Sequence, residues 1–170
     1  MKNNIILIGF MGVGKGTTAR AFTKKYGTYI MDTDDLIESK EKKEVKKIFA
    51  KQGEAYFREQ EQATANWIEH SVTGTFISCG GGFYKVDNLK KLGTVVLLDA
   101  SFEWIHNRLK TASNSANKLA KRPLFSQVKE AKKLYAEREK AYRKLADVVV
   151  DVEGLTLDEQ IDFIAKKCMV

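Results

Sequence analysis

Gly9-Phe10-Met11-Gly12-Val13-Gly14-Lys15-Gly16-Thr17 is the stretch of this chain that decides how the rest is read. It follows Ile5-Ile6-Leu7-Ile8, a continuous apolar and β-branched run of the kind that forms a central parallel strand buried on both faces. From Lys15 to Tyr26 the residues Ala19, Phe22 and Tyr26 recur at helical spacing, with Arg20, Lys24 and Lys25 on the other side. Strand, glycine loop, helix is therefore the expected order. GxxxxGK in that setting has a physical use. Glycines let backbone N–H groups converge on phosphate oxygens, the helix N-terminus adds a favourable dipole, and the lysine reaches the β- and γ-phosphates. Gly12, Val13, Gly14, Lys15, Gly16, Thr17 and Thr18 are accordingly the candidate ATP-binding residues, with Lys15 also a candidate catalytic group.

Outward from the loop, short apolar runs at Tyr29–Met31, Thr75–Ser78, Thr94–Leu98 and Val148–Val150 read as further strands. Helical spacing is expected over Asp35–Lys40, Val45–Lys51, Glu54–His70, Ser101–Leu109, Gln127–Lys144 and Leu157–Lys167. The alternation predicts an α/β domain spanning residues 1–170, with a central five-stranded parallel sheet between two helical layers. Lys110 to Lys121 is rich in Ser, Asn, Ala and Lys, lacks an apolar period, and precedes the only proline, Pro123. A segment of that length inside a nucleotide-binding domain is expected to be a mobile lid, about 109–125.

Composition narrows the partners without choosing among them. The 170 residues are 44% apolar and 30% charged, enough to bury a core without disulfides or a structural metal. The net charge of +7 favours anionic ligands. Much of the excess reads as a solvated face, because the Lys-rich stretch from Lys40 to Lys51 is interleaved with Glu41 and Glu44 and preceded by Glu38. No nucleic-acid partner is expected, since neither interleaved aromatics nor a groove-reading element is evident. Cys79 and Cys168 are far apart and belong to no CxxC or Cys/His cluster, so a reducing cytoplasm is the expected compartment. Neither export nor a membrane segment is indicated.

The residues that would bind a second substrate are less distinctive one by one. Asp32 and Asp34 follow the second strand, and on an extended segment both would face one cleft at the C-terminal edge of the sheet; the alternative is an N-cap and a surface acid. Arg58 and Arg138 sit on helices, where most arginines are solvated. Gly80, Gly81 and Gly82 permit close approach to the backbone, or form a flexible turn. After Lys15 comes Gly16 where Ser or Thr normally offers a hydroxyl to Mg²⁺. Either Thr17 takes over part of that role, or the metal is held by phosphate oxygens and by water oriented from a carboxylate.

Taken together and in this order, GFMGVGKGT, Asp32-Thr33-Asp34, Gly53-Glu54-Ala55-Tyr56-Phe57-Arg58-Glu59, Gly80-Gly81-Gly82, Arg122-Pro123-Leu124, and Arg138 with Tyr142 four residues on resemble the shikimate kinases over nearly the whole chain. The resemblance implies a P-loop kinase fold that phosphorylates the 3-hydroxyl of shikimate with ATP and Mg²⁺, giving shikimate 3-phosphate and ADP in the pathway to the aromatic amino acids. It implies that Arg58 and Arg138 bind the substrate carboxylate with their guanidinium forks. Asp34 would accept hydrogen bonds from ring hydroxyls and deprotonate the attacking one, with Gly80, Gly81 and Gly82 completing the cradle. Asp32 would reach Mg²⁺ through water, with Thr17 the other candidate for the metal. Arg122 would close over the phosphates as a catalytic lid arginine, and Arg108 would stack near the adenine. A monomer is expected.

The chain departs from the family pattern at Gly16 for Ser, at Cys79 for Thr, at Lys140 for proline, and in a longer segment from Arg108 to Arg122. Rival readings are an adenylate- or gluconate-kinase-like enzyme, or a nucleotide-binding module without catalysis. The retained Lys15, Asp34 and Arg122 argue against the last. His70 and His106 have no acid or nucleophile partner in the sequence pattern and read as structural or solvated.

Overall fold

The computed structural model describes residues 3–112, 116 and 123–169. Among these, five parallel strands form one sheet in the order β2-β3-β1-β4-β5: β1 (Ile5–Ile8), β2 (Tyr29–Asp32), β3 (Thr75–Ser78), β4 (Thr94–Asp99) and β5 (Val148–Asp151). The central position of β1 explains its composition, because Ile5 to Ile8 are all buried and pair with β3 on one side and β4 on the other. No polar side chain fits there. The helices are α1 (Lys15–Tyr26), α2 (Thr33–Glu41), α3 (Val45–Ser71), a single turn α4 (Leu89–Leu92), α5 (Phe102–Thr111), α6 (Val128–Leu145) and α7 (Leu157–Cys168). They cover both faces, as expected for parallel strands joined by crossovers.

Each strand lies within two residues of its expected position, and α1 coincides with the expected span. The two helices anticipated on either side of Gly53 form one span, α3, interrupted at Gly53, whose φ of 83° and ψ of 172° are non-helical. Helix α4 and a 3-10 turn at Phe83–Lys85 were not anticipated, being too short to show a period. Of the two readings of the acid pair, the N-cap holds for Asp32: helix α2 starts at Thr33, two residues before the expected Asp35, and the Asp32 carboxylate caps it by accepting from the Asp34 and Asp35 amides at 2.9 and 3.3 Å. Asp32 and Asp34 therefore do not share an extended segment. Most of the expected lid, 109–125, lies outside the described residues, and Arg122 with it.

The main core lies on both sides of β1 and β4, and a smaller cluster of Ile37, Ile48 and Phe57 joins α2 to α3. Asn4, just before β1, is buried and ties three elements together. Its Nδ2 donates to the carbonyls of Val72 and Leu92, and its Oδ1 accepts from the Thr75 amide. Because β2, β3 and β1 are neighbours running the same way, the segments that follow them emerge side by side at one edge of the sheet. Those segments are the α2 N-terminus, the triple glycine and the phosphate loop. Among the described residues, no helix is long and apolar enough to cross a membrane.

Candidate active site

The phosphate loop joins β1 to α1. Gly14 caps the helix with φ 113°, a left-handed conformation that a residue with a β-carbon rarely adopts. The Val13 amide donates to Phe10 O and the Thr18 amide to Gly14 O, so these two are engaged within the fold. Helix geometry leaves the amides of Gly16 and Thr17 without an intrahelical acceptor, facing where an anion would sit. The Thr18 hydroxyl points the other way, to Gln160 of α7 at 3.4 Å. Lys15 Nζ donates to the Gly9 and Phe10 carbonyls at 2.7 and 3.3 Å, which folds it over the loop. Arg108 of α5 donates to Gly12 O at 2.9 Å, packs its planar group near Trp104, and lies against Gly14. Its guanidinium braces the loop.

The three glycines after β3 explain one another through what each touches. A β-carbon on Gly80 would collide with the Asp34 carboxylate, on Gly82 with the Arg58 guanidinium, and on Gly81 it would lie 2.8 Å from Arg138 Nη1. Three side chains from α2, α3 and α6 thus converge on three consecutive residues that have no side chain. Thr33, fully buried, accepts from the Gly80 amide at 2.9 Å and fixes the loop against α2. Tyr142, one turn beyond Arg138 on α6, donates its hydroxyl to Gly81 O at 2.5 Å. In the sequence Tyr142 stands out only by its spacing from Arg138, and Thr33 only by lying between Asp32 and Asp34.

The electrostatics of this cradle are unusual for a protein surface. Asp34 Oδ1 is buried and has no hydrogen-bond partner among the described residues. Burial, reinforced by the neighbouring charges of Asp32, Glu61 and Glu38 against the opposing pull of Lys15, raises its pKa to about 7. Arg138 is 8% exposed, and its Nε lacks a partner among the described residues. A buried guanidinium left short of acceptors favours a bound anion. Arg58 is held from both sides, by Glu61 Oε2 at 2.6 Å and by Glu54 Oε1 at 3.0 Å.

Glu61 is a further candidate site residue that the sequence pattern did not single out. It is 1% exposed, and its Oε1 is unpartnered among the described residues. Burial raises its pKa while Arg58 and Arg138 oppose the rise. The signal was available, since Arg58 and Glu61 are three apart on a helix and share a face. Arg58, Glu61, Gln62, Lys85 and Val86 line a cavity of about 180 Å³ beside the glycines. Cys79, next to Gly80, is fully enclosed, and burial pushes its thiol well up, so it is an inert packing group.

The donor set for a divalent cation is sparse. Gly16 offers no hydroxyl, and one oxygen of Asp32 already caps α2. No group of three or more His, Cys, Asp or Glu suited to a metal occurs among the described residues. One carboxylate beside a phosphate site fits Mg²⁺ that arrives on phosphate oxygens and keeps most of its water, and does not fit a preformed protein cage.

A protein-family model described as shikimate kinase matches residues 11–169. A curated relative from Helicobacter hepaticus, named shikimate kinase, is 37% identical over 155 residues, covering 91% of this chain and 90% of its own. Among solved structures, shikimate kinase from Aquifex aeolicus superposes with a TM-score of 0.75 at 33% identity, over 96% of this chain and 94% of that one. The enzyme from Acinetobacter baumannii, in complex with shikimate, gives a TM-score of 0.82 at 25% identity, over 98% of this chain and 92% of that one.

Proposed function

Because the chain belongs to the shikimate kinase family and is a phosphotransferase acting on shikimate, we propose that its own residues divide the reaction as follows. The carrying observation is the convergence of Asp34, Arg138 and Arg58 on Gly80, Gly81 and Gly82, beside the phosphate loop. The two guanidinia bind the substrate carboxylate, Arg138 with its unpartnered buried Nε and Arg58 as oriented by Glu61. That fixes the ring and presents its 3-hydroxyl to Asp34. With a pKa of about 7, Asp34 is poised to take the hydroxyl proton near neutral pH as the oxygen attacks the γ-phosphorus of ATP. The leaving group is ADP.

On the donor side, the amides of Gly16 and Thr17 and the Lys15 ammonium hold the phosphates, and Lys15 exchanges its carbonyl partners for phosphate oxygens. Arg108 keeps the loop in shape through Gly12. By the family resemblance, Arg122 would offset charge on the transferred group. Asp32 would be the protein's contact, through water, for Mg²⁺ arriving on ATP, and that metal would supply neutralisation of the phosphate charge. The test is coupled ADP release with Mg·ATP and, separately, shikimate, AMP and gluconate. Turnover with shikimate alone is expected; turnover with AMP and none with shikimate would sink the proposal.

A further inference from the structure

Gly16 leaves open a place beside which another residue of this chain lies. A side chain at that position of a phosphate loop normally carries the hydroxyl that meets Mg²⁺. Here a β-carbon on Gly16 would lie 3.2 Å from Arg20 Nη1, closer than ordinary packing. Arg20 is one helical turn further along α1, and long helical side chains lean toward the N-terminus, so its guanidinium reaches back along the Gly16 face. It is exposed and makes no hydrogen bond or ion pair among the described residues, so no acid in the fold explains its position.

The charge arrangement supplies a second, independent indication. The N-terminal end of a helix is its positive end, where acids stabilise and cations destabilise. The first turn of α1 has no acidic residue, and it carries Lys15 with the Arg20 guanidinium folded back beside it. Two cations at a positive helix end, in a chain that has 22 acidic residues to place elsewhere, are unfavourable until a polyanion arrives.

We propose that Arg20 is a phosphate-binding residue that takes the place of the loop hydroxyl, so that this chain grips the β-phosphate with a guanidinium where a hydroxyl would otherwise ligate the metal. The inference rests on the reading of the loop as a nucleotide site. Its consequence is that binding of a nucleoside diphosphate depends less on Mg²⁺ than a hydroxyl-bearing loop would make it. A Ser at position 16 would both crowd Arg20 and restore the hydroxyl.

Calorimetric titration of the full chain with ADP, once in EDTA and once in excess Mg²⁺, tests this directly. Arg20→Ala is expected to lose about tenfold in metal-free affinity, the size of a charge-assisted hydrogen bond, and clearly less when Mg²⁺ is present. Arg20→Lys should recover part of the metal-free loss. Gly16→Ser should weaken metal-free binding and enlarge the gain on adding Mg²⁺. Equal metal-free affinities for the native chain and Arg20→Ala, or equal losses with and without Mg²⁺, would overturn the inference while leaving the nucleotide site intact. Absence of ADP binding by the native chain would instead overturn the reading of the loop, and this inference with it.

Discussion

Replacing Asp34 by Asn should make the protein more stable at alkaline pH and less active, and the structure gives the size of the first effect. Burial raises the Asp34 carboxyl from an ordinary 3.8 to about 7. A carboxyl whose pKa is higher folded than unfolded holds its proton better in the native state. Its contribution to stability is therefore fully present below about pH 4 and lost as the pH rises through about 7. At about 1.4 kcal/mol per pH unit, a rise of about three units costs the folded state about 4 kcal/mol once the group is ionised in both states.

Asparagine has the same shape and never ionises, so Asp34→Asn escapes this penalty. Urea unfolding at about pH 5 and about pH 8 should show the variant gaining over the native chain by roughly 2.5 kcal/mol more at the higher pH, since part of the penalty is already present at pH 5. The matching rise in Tm is on the order of 10 °C. In the kinase assay, kcat should fall by about a hundredfold or more. The rise of kcat/KM with pH through about 7 should vanish in the variant. A stability gap that is the same at both pH values would refute the reasoning, because the penalty would then not be one of ionisation.

Other consequences follow from single contacts. Gly81→Ala, which drives a methyl toward the Arg138 guanidinium, should raise the KM for shikimate at least tenfold while ADP affinity by calorimetry stays unchanged. Thr33→Val leaves the part-buried Gly80 amide without its acceptor, which should cost about 1–2 kcal/mol in urea unfolding; recovery in Thr33→Ser would tie the loss to the hydroxyl. Asn4→Ala removes three hydrogen bonds that join the start of β1 to the end of α3, to β3 and to α4, and a loss of about 3 kcal/mol or more is expected in the same measurement. Glu61→Gln should raise the KM for shikimate more than it changes kcat in steady-state kinetics, since its contact with Arg58 orients a binding group.

Much of this molecule was legible in its sequence because the signals were local. A β-branched run, a glycine loop and a 3.6-residue period act within a dozen residues, so β1, the phosphate loop and α1 could be placed before any contact was known. The family resemblance then named Asp34, Arg58 and Arg138 from motif order. The interruption at Gly53 falls between two expected helices, Val45–Lys51 and Glu54–His70, because its effect is on its own φ and ψ.

What only the tertiary structure decided depends on neighbours distant in sequence. Asp32 caps a helix while Asp34, two residues on, is driven into a buried place beside Gly80, and their opposite fates come from packing against β3. No period could show that Gly80, Gly81 and Gly82 each make room for a different functional side chain, since those side chains come from α2, α6 and α3. Glu61 and Thr33 look like ordinary helix residues until burial removes their water, which turns a carboxylate into a guanidinium anchor and a hydroxyl into a backbone clamp. The phosphate loop itself was written in the sequence. The place of Arg20 above Gly16 was not, because which way a long side chain lies is settled by space and charge in the folded molecule.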